Sequence, residues 1–384
     1  NRAESLLQRA IELDPEFALA HARLAYLYAE VYWWSQFYDP SAEWLAKAKR
    51  HVDSALTLQP DLADAYAAKG WYYFRKQDYR SAQKYLELAL DRQPNNAEWH
   101  RSVAVIQRRQ GKWGDALRSF EQALRLNPRS ASLAATYAGT LVSTRNYEKA
   151  EKMFDRAVEL APNARWLYIE KSMLYLLWKG DTKQARDVVG TAVRQSGRWP
   201  VLSYVEMELD LIDGDYEHAL ALCSKVGSVY TGAISDSAEY YYKRAEVLHR
   251  YQPELAVAYC DSARVILERE ISNNPDASYS RAFLGQLYAW LGRGDDGVRE
   301  GLLAVESYPM AKDAVSAPDL IALLAEIYIS VGDYESAIDQ LDFLLSVPSW
   351  VSVPYLRVDP KFDPLRDRPR FQAMLEKYEQ EHGT

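Results

Sequence analysis

Small and apolar residues recur along this chain with a fixed step. Ala48, Ala82, Ala116 and Ala150 stand 34 positions apart, and Ala55, Ala89, Ala123 and Ala157 keep the same step. A third series runs Gly70, Ala104, Ala138 and Ser172, and a fourth Pro60, Pro94, Pro128 and Pro162. Ala82 and Ala89 are seven apart and so share one face of a helix. The pattern predicts two antiparallel helices per period. Its small residues mark where the helices approach most closely, Gly70 or Ala104 on the first admitting the bulk of the second. Proline ends each unit, because it has no N–H with which to continue a helix. Asp78-Tyr79, Asn146-Tyr147, Asp215-Tyr216 and Asp333-Tyr334 mark the turn before the second helix, with Asp or Asn as its N-cap.

The first small residue of each second helix can be followed through Ala3, Ala48, Ala82, Ala116, Ala150, Ala185, Ala219, Ala256, Gly297 and Ala337. The spacing is regular in the middle and wider at both ends. It predicts a lone second helix in residues 1–15 and nine helix pairs over 16–347, regular in 63–164 and irregular in 200–347. A tail and capping helix follow in 348–384, with Phe371, Met374, Leu375 and Tyr378 on one face. A repeat buries its apolar face only against neighbours. The segment Ala3, Leu6, Leu7, Ala10, Ile11 reads as an interior helix without its partner, so the expectation is a piece of a longer protein.

A 34-residue period with these small positions and a terminal proline resembles the tetratricopeptide repeat. The matching residues are Tyr66, Gly70, Tyr73, Ala82, Leu86, Ala89 and Pro94, then Ala116, Phe120, Ala123 and Pro128. The consensus tryptophan is mostly missing, its position held by Tyr66, His100, Ala134 and Tyr168. The resemblance implies an all-α, right-handed superhelical solenoid of about nine pairs with a C-terminal capping helix. First helices would line its concave face. The tail around Tyr355–Arg366 and Asp367-Arg368-Pro369-Arg370-Phe371, with the start Arg9–Pro15, is similar to repeat regions of bacterial signalling proteins. These include serine/threonine kinases, class III cyclases and winged-helix regulators. That likeness implies a noncatalytic regulatory or partner-binding region in the cytoplasm, or in the periplasm if a membrane span lies upstream.

Composition narrows the function. Gly and Pro together number 33 among 384 residues, roughly 9% against about 12% in average usage, which favours long helices. A net charge of -8 argues against nucleic-acid binding by bulk electrostatics. No run of 18 apolar residues is present to span a bilayer, and no basic-then-apolar leader is visible. Two cysteines make neither a disulfide framework nor a zinc-ligand pattern. Cys223 and Cys260 share one repeat position and read as small buried hydrophobes.

Motifs for catalysis dissolve on inspection. Gly292-Arg293-Gly294-Asp295-Asp296-Gly297 matches G-x-G-x-x-G, but the fingerprint needs a preceding strand, and a first helix stands there instead. Ser81-Ala82-Gln83-Lys84 matches S-x-x-K without its partner motifs. The six histidines never pair at helix-ligand spacing. No catalytic residue, cofactor or metal site is therefore expected.

A partner would meet first-helix residues outside the repeat core. The candidate groove comprises Arg23, Tyr26, Trp33, Trp34, Trp71, Arg75, Arg101, Arg108 and Met173, with Trp33 and Trp34 on the insertion Tyr32–Pro40. Arginines gathered on an acidic protein predict a protein or peptide partner that is acidic or carries a free carboxylate. A small-molecule sensor using the same groove is the alternative.

Overall fold

The eight alanines of the two main series are fully buried. In the computed structural model, which describes residues 2–35, 43–197, 200–223 and 234–382, they lie where each second helix meets its partner. A Cβ added to Gly70 would stand 2.8 Å from Leu86 Cγ, so the closest approach of that pair leaves no room for a methyl group.

The described residues form helices and no strand. A lone helix α1 (Arg2–Leu13) precedes the pairs α2 (Ala18–Ser35) with α3 (Glu43–Leu58), α4 (Ala63–Arg75) with α5 (Tyr79–Arg92), and α6 (Ala97–Arg109) with α7 (Trp113–Leu126). Next come α8 (Ala131–Ser143) with α9 (Tyr147–Leu160), α10 (Arg165–Lys179) with α11 (Thr182–Ser196), and α12 (Pro200–Asp213) with α13 (Tyr216–Cys223). The last pairs are α14 (Asp236–Tyr251) with α15 (Pro253–Asn273), α16 (Ser278–Trp290) with α17 (Gly294–Ser307), and α18 (Ala317–Val331) with α19 (Tyr334–Ser346). Short helices α20 (Val353–Val358) and α21 (Asp363–Arg366) lead into α22 (Pro369–His382). This is an all-α solenoid of tetratricopeptide type. It divides into two compact units, Asn1–Leu133 and Ala134–Thr384.

A recurrent hydrogen bond explains what replaces the missing tryptophan. The residue six positions after the terminal proline pairs with that proline's carbonyl in five repeats. Tyr66 Oη donates to Pro60 O at 3.0 Å, and Tyr168 Oη to Pro162 O at 2.9 Å. His100 Nε2 lies 2.8 Å from Pro94 O and His21 Nε2 3.4 Å from Pro15 O, while Arg281 Nε donates to Pro275 O at 3.2 Å. Tyrosine, histidine and arginine share a donor on a long arm, which is what the turn carbonyl requires.

The N-caps divide. Asp78 accepts from the Ser81 amide, Asp215 from His218 and Asp333 from Ser336. Asn146 does not cap α9 with its side chain. Its amide donates instead to the carbonyl and hydroxyl oxygens of Thr144, both at 3.0 Å, a local partner that the aspartates have no N–H to reach.

Candidate functional site

In the N-terminal unit, first helices α2, α4 and α6 bring one set of groove candidates together. The ring of Tyr26 meets Trp71 edge-on at 5.8 Å between centroids, and Trp71 meets Phe74 at 5.0 Å. The Arg75 guanidinium lies over both Trp71 and Phe74, and that of Arg109 lies over Phe74. Trp71 and Phe74 are buried while Tyr26 is half-buried. The buried Trp71 and Phe74 thus form the floor of the wall, with the half-buried Tyr26 ring perpendicular to Trp71.

The arginines of this wall have acids of their own. Arg75 Nη2 pairs with Glu30 at 2.6 Å and Arg23 with Asp64 at 2.7 Å. Arg101 Nε donates to both carboxylate oxygens of Glu98, at 2.9 and 3.0 Å. Burial, then the charge of Glu30, push the Tyr26 phenol up to about 12, so it stays a neutral donor. Burial draws Arg75 below the ordinary arginine value even beside Glu30. The Glu98–Arg101 spacing of three was readable on a helix. Glu30 and Arg75, 45 positions apart, meet only through the stacking of α2 on α4.

Other candidates stand apart. Arg108 is half-buried near the end of α6. Met173, half-buried on α10, belongs to the C-terminal unit. Trp33 and Trp34 fall on the last turn of α2. Their side chains, with residues 36–42 of the insertion, lie outside the described residues.

In the C-terminal unit the corresponding first-helix face is covered by the chain itself. Arg145 adopts a left-handed backbone, φ 58°, and donates to the carbonyls of Leu344, Val347 and Val351. It thereby fixes the point where the tail leaves α19. Ser352 Oγ then donates to Leu177 O on α10 at 2.5 Å. Farther along, Lys361 Nζ reaches Glu246 of α14 at 3.3 Å and Glu326 of α18 at 3.6 Å. Lys243 Nζ joins Glu246 at 2.9 Å and Glu208 of α12 at 2.8 Å.

Burial alone would raise the Glu246 carboxyl. Lys243 and Lys361 outweigh that and hold it well below the usual carboxylate range. Burial raises Glu326, with the Glu246 charge adding to the same effect against Lys361. This network escaped the sequence reading. Lys243, Glu246 and Arg250 do stand three, four and seven apart on a first helix, a signal for one charged stripe on that face.

Among the described residues no group of three or more His, Cys, Asp or Glu could hold a metal ion, and no helix is long and apolar enough to cross a membrane. Gly292 is left-handed, φ 75°, and Gly294 opens α17, so the G-x-G-x-x-G string is the turn of a helix pair. Cys223 and Cys260 are buried and unbridged. Burial pushes their thiols up to about 11 and about 12, which disfavours the reactive thiolate.

Stacked helix pairs carrying a paired-charge, aromatic wall define a repeat scaffold. Residues 67–131 and 107–170 match tetratricopeptide-repeat family models, and the regular part of the chain is built of these repeats. Over 91 residues the chain is 24% identical to the mitochondrial import receptor subunit TOM70 of Homo sapiens and 26% to that of Rattus norvegicus. That stretch is 24% of this chain, and the chain spans only 15% of the length of those relatives. Solved structures with a similar course include YrrB, described as a TPR protein with an unusual peptide-binding site. It has 20% identity and a TM-score of 0.37, over 52% of this chain and 97% of that one. Yeast Tom70 has 14% identity and a TM-score of 0.44, over 88% and 85%.

Proposed function

We propose that this chain is a noncatalytic scaffold that binds a protein or peptide on the first-helix wall of its N-terminal unit. The carrying observation is a contrast in bonding. Tyr26 and Arg101 are half-buried, and Arg101 is bonded to Glu98 of its own helix, while the face around Glu246 holds Lys361 of the tail. Tyr26 offers a half-buried ring beside Trp71, and Arg101 a fork already oriented by Glu98. A peptide carboxylate would exchange with Glu98 at Arg101, which favours an acidic partner or a free C-terminus. TOM70, named an import receptor, is a relative whose name fits this reading. The likeness of the tail to bacterial signalling proteins supports a regulatory region of such a protein, working in the cytoplasm.

Selection from a displayed peptide library tests the proposal. Binders should weaken about tenfold in Tyr26→Ala and in Arg101→Ala, as loss of an interface anchor costs more than about 1 kcal/mol. Free-acid peptides should bind more tightly than their C-terminal amides. Binders indifferent to both substitutions would place the partner elsewhere.

A further inference from the structure

We infer that the groove between α17 and the turn joining α18 to α19 docks a basic amphipathic helix of a partner protein. The groove measures about 690 Å³. Val298, Leu302 and Leu303 of α17 line one side, and Tyr328 and Val331 of α18 the other. The carboxylates of Asp295, Glu306 and Asp333 also line it, and all three residues are exposed.

The other repeats show what is unusual here. Five positions after the first small residue of their second helices stand Asp53, Glu87, Glu121, Asp155, Asp261 and Asp342, while α11 has Gly190 there. The side chains of Asp53, Asp155, Asp261 and Asp342 are 47–53% exposed. The position therefore faces solvent, and an acid suits it. In α17 the same count, made from Gly297, falls on Leu302. Leu302 is 41% exposed, with Leu303 beside it at 38%.

A leucine left this far in water forgoes much of the stabilisation that burial gives. Exposed apolar side chains gathered in one concave place mark a contact surface. Asp295, Val298, Leu302 and Glu306 follow spacings of three, four and four, so they share a face of α17. Its apolar stripe thus ends in an acid on each side.

Charge decides the kind of occupant. Three carboxylates line the groove against one guanidinium, that of Arg299, which is held by Asp296 at 2.7 Å. The excess of negative charge favours lysine or arginine beside an apolar partner face. A second copy of this chain, at net charge -8, is repelled by the same excess. The groove also asks for a helix. Its walls are helices whose backbone groups are spent on their own hydrogen bonds, so they offer no strand edge. A docking segment must then satisfy its own amides, and an amphipathic helix does so while presenting side chains three and four apart. The groove shares no residue with the wall around Tyr26 and Arg101, so this inference and the proposed function stand or fall separately.

The test titrates the full chain by calorimetry with a synthetic helix of about 15 residues. This peptide carries leucines at i, i+3, i+4 and i+7, with lysines beside them. One control replaces the lysines by glutamates, and a second keeps the composition but scatters the leucines around the helix. The lysine peptide should bind about tenfold more tightly than either control. Leu302→Glu restores the acid that six other second helices carry, so its Tm should match that of the natural chain. It also adds a negative charge to the groove. Bare charge attraction therefore predicts tighter binding of the lysine peptide, whereas docking on the leucine predicts binding weaker by about tenfold. Glu306→Gln should weaken binding about threefold and flatten its dependence on salt.

The inference is overturned if the lysine peptide does not bind, if a control binds as well, or if Leu302→Glu binds it as tightly or more so. It is also overturned if the natural chain self-associates in sedimentation velocity and Leu302→Glu does not, since the groove would then belong to a second copy. The peptide comparison needs no variant, so it decides the matter even where Leu302→Glu fails to fold.

Discussion

The N-terminal and C-terminal units use first helices of the same kind for opposite ends. Around Tyr26, Trp71 and Arg101 the face is aromatic, and its charges are paired side by side along or between adjacent first helices. Around Lys243, Glu246 and Lys361 the charges are buried and shared with a returning segment of the chain. The repeat supplies the helix spacing in both. What differs is the partner: around Tyr26 each charge is paired along or between adjacent first helices, whereas around Glu246 a segment returning from the tail takes part.

Charge removal should separate the two faces most sharply. Lys243→Met leaves Glu208 and the 3%-exposed Glu246 side chain without their shared cation. Breaking a buried ion pair by removing one member costs about 3–5 kcal/mol. Because Lys361 still holds Glu246, a loss of about 3 kcal/mol is expected. Arg101→Met removes a partner from Glu98, whose side chain is 56% exposed, and should cost about 0–1 kcal/mol. Urea unfolding read by hydrogen exchange measures each unit by itself. Equal losses would erase the distinction between the two faces.

Next in size is the seat of the tail. Gly180 ends α10 in the left-handed region, φ 63°. A Cβ there would come 2.8 Å from Val358 Cγ1 and 3.1 Å from Pro354 O. Gly180→Ala therefore combines backbone strain of about 1–2 kcal/mol with overpacking of about 1–3 kcal/mol, for an expected loss of about 2–5 kcal/mol. Limited proteolysis should then cut first within 353–366. Cleavage elsewhere, with the tail still protected, would mean that the tail does not depend on this contact.

How far the sequence carries can be seen at particular residues. Ala82, Ala89 and Gly70 announced the helix pair because sterics at the closest approach tolerate little else, so fold and repeat are legible in one series of small residues. Phe371, Met374, Leu375 and Tyr378 are buried on α22, a face that helical spacing alone marks out. The site was legible only in part. Tyr26, Trp71 and Arg101 could be assigned to first helices, but Glu30 is joined to Arg75 by stacking rather than by spacing. The return of Lys361 to Glu246 spans more than a hundred residues. Periodicity describes neighbours in a repeat, and it is silent about a segment that leaves the repeat and comes back.

The smallest effect concerns acid, and it sharpens the comparison from the N-terminal side. His51 Nδ1 lies 2.9 Å from His21 Nδ1, a contact that needs one N–H and one lone pair, so the two rings cannot both carry charge. Burial first, then the charges of His21 and Arg50, bring His51 from the ordinary 6.5 down to about 4. Between those values the unfolded chain takes a proton that the folded chain refuses. Stability is thus fully present above pH 6.5 and falls as pH drops toward 4. Solvent screening at this half-buried position limits the effect to about 1 kcal/mol. His249 in the C-terminal unit is also drawn below the ordinary value, by burial and then by Arg250, so the whole chain weakens in the same direction. The contribution of His51 is therefore read as a difference. Tm measured from pH 7 to pH 4 should decline less steeply in His51→Leu than in the natural chain. Parallel declines would show that the His21–His51 contact takes no part in the acid response.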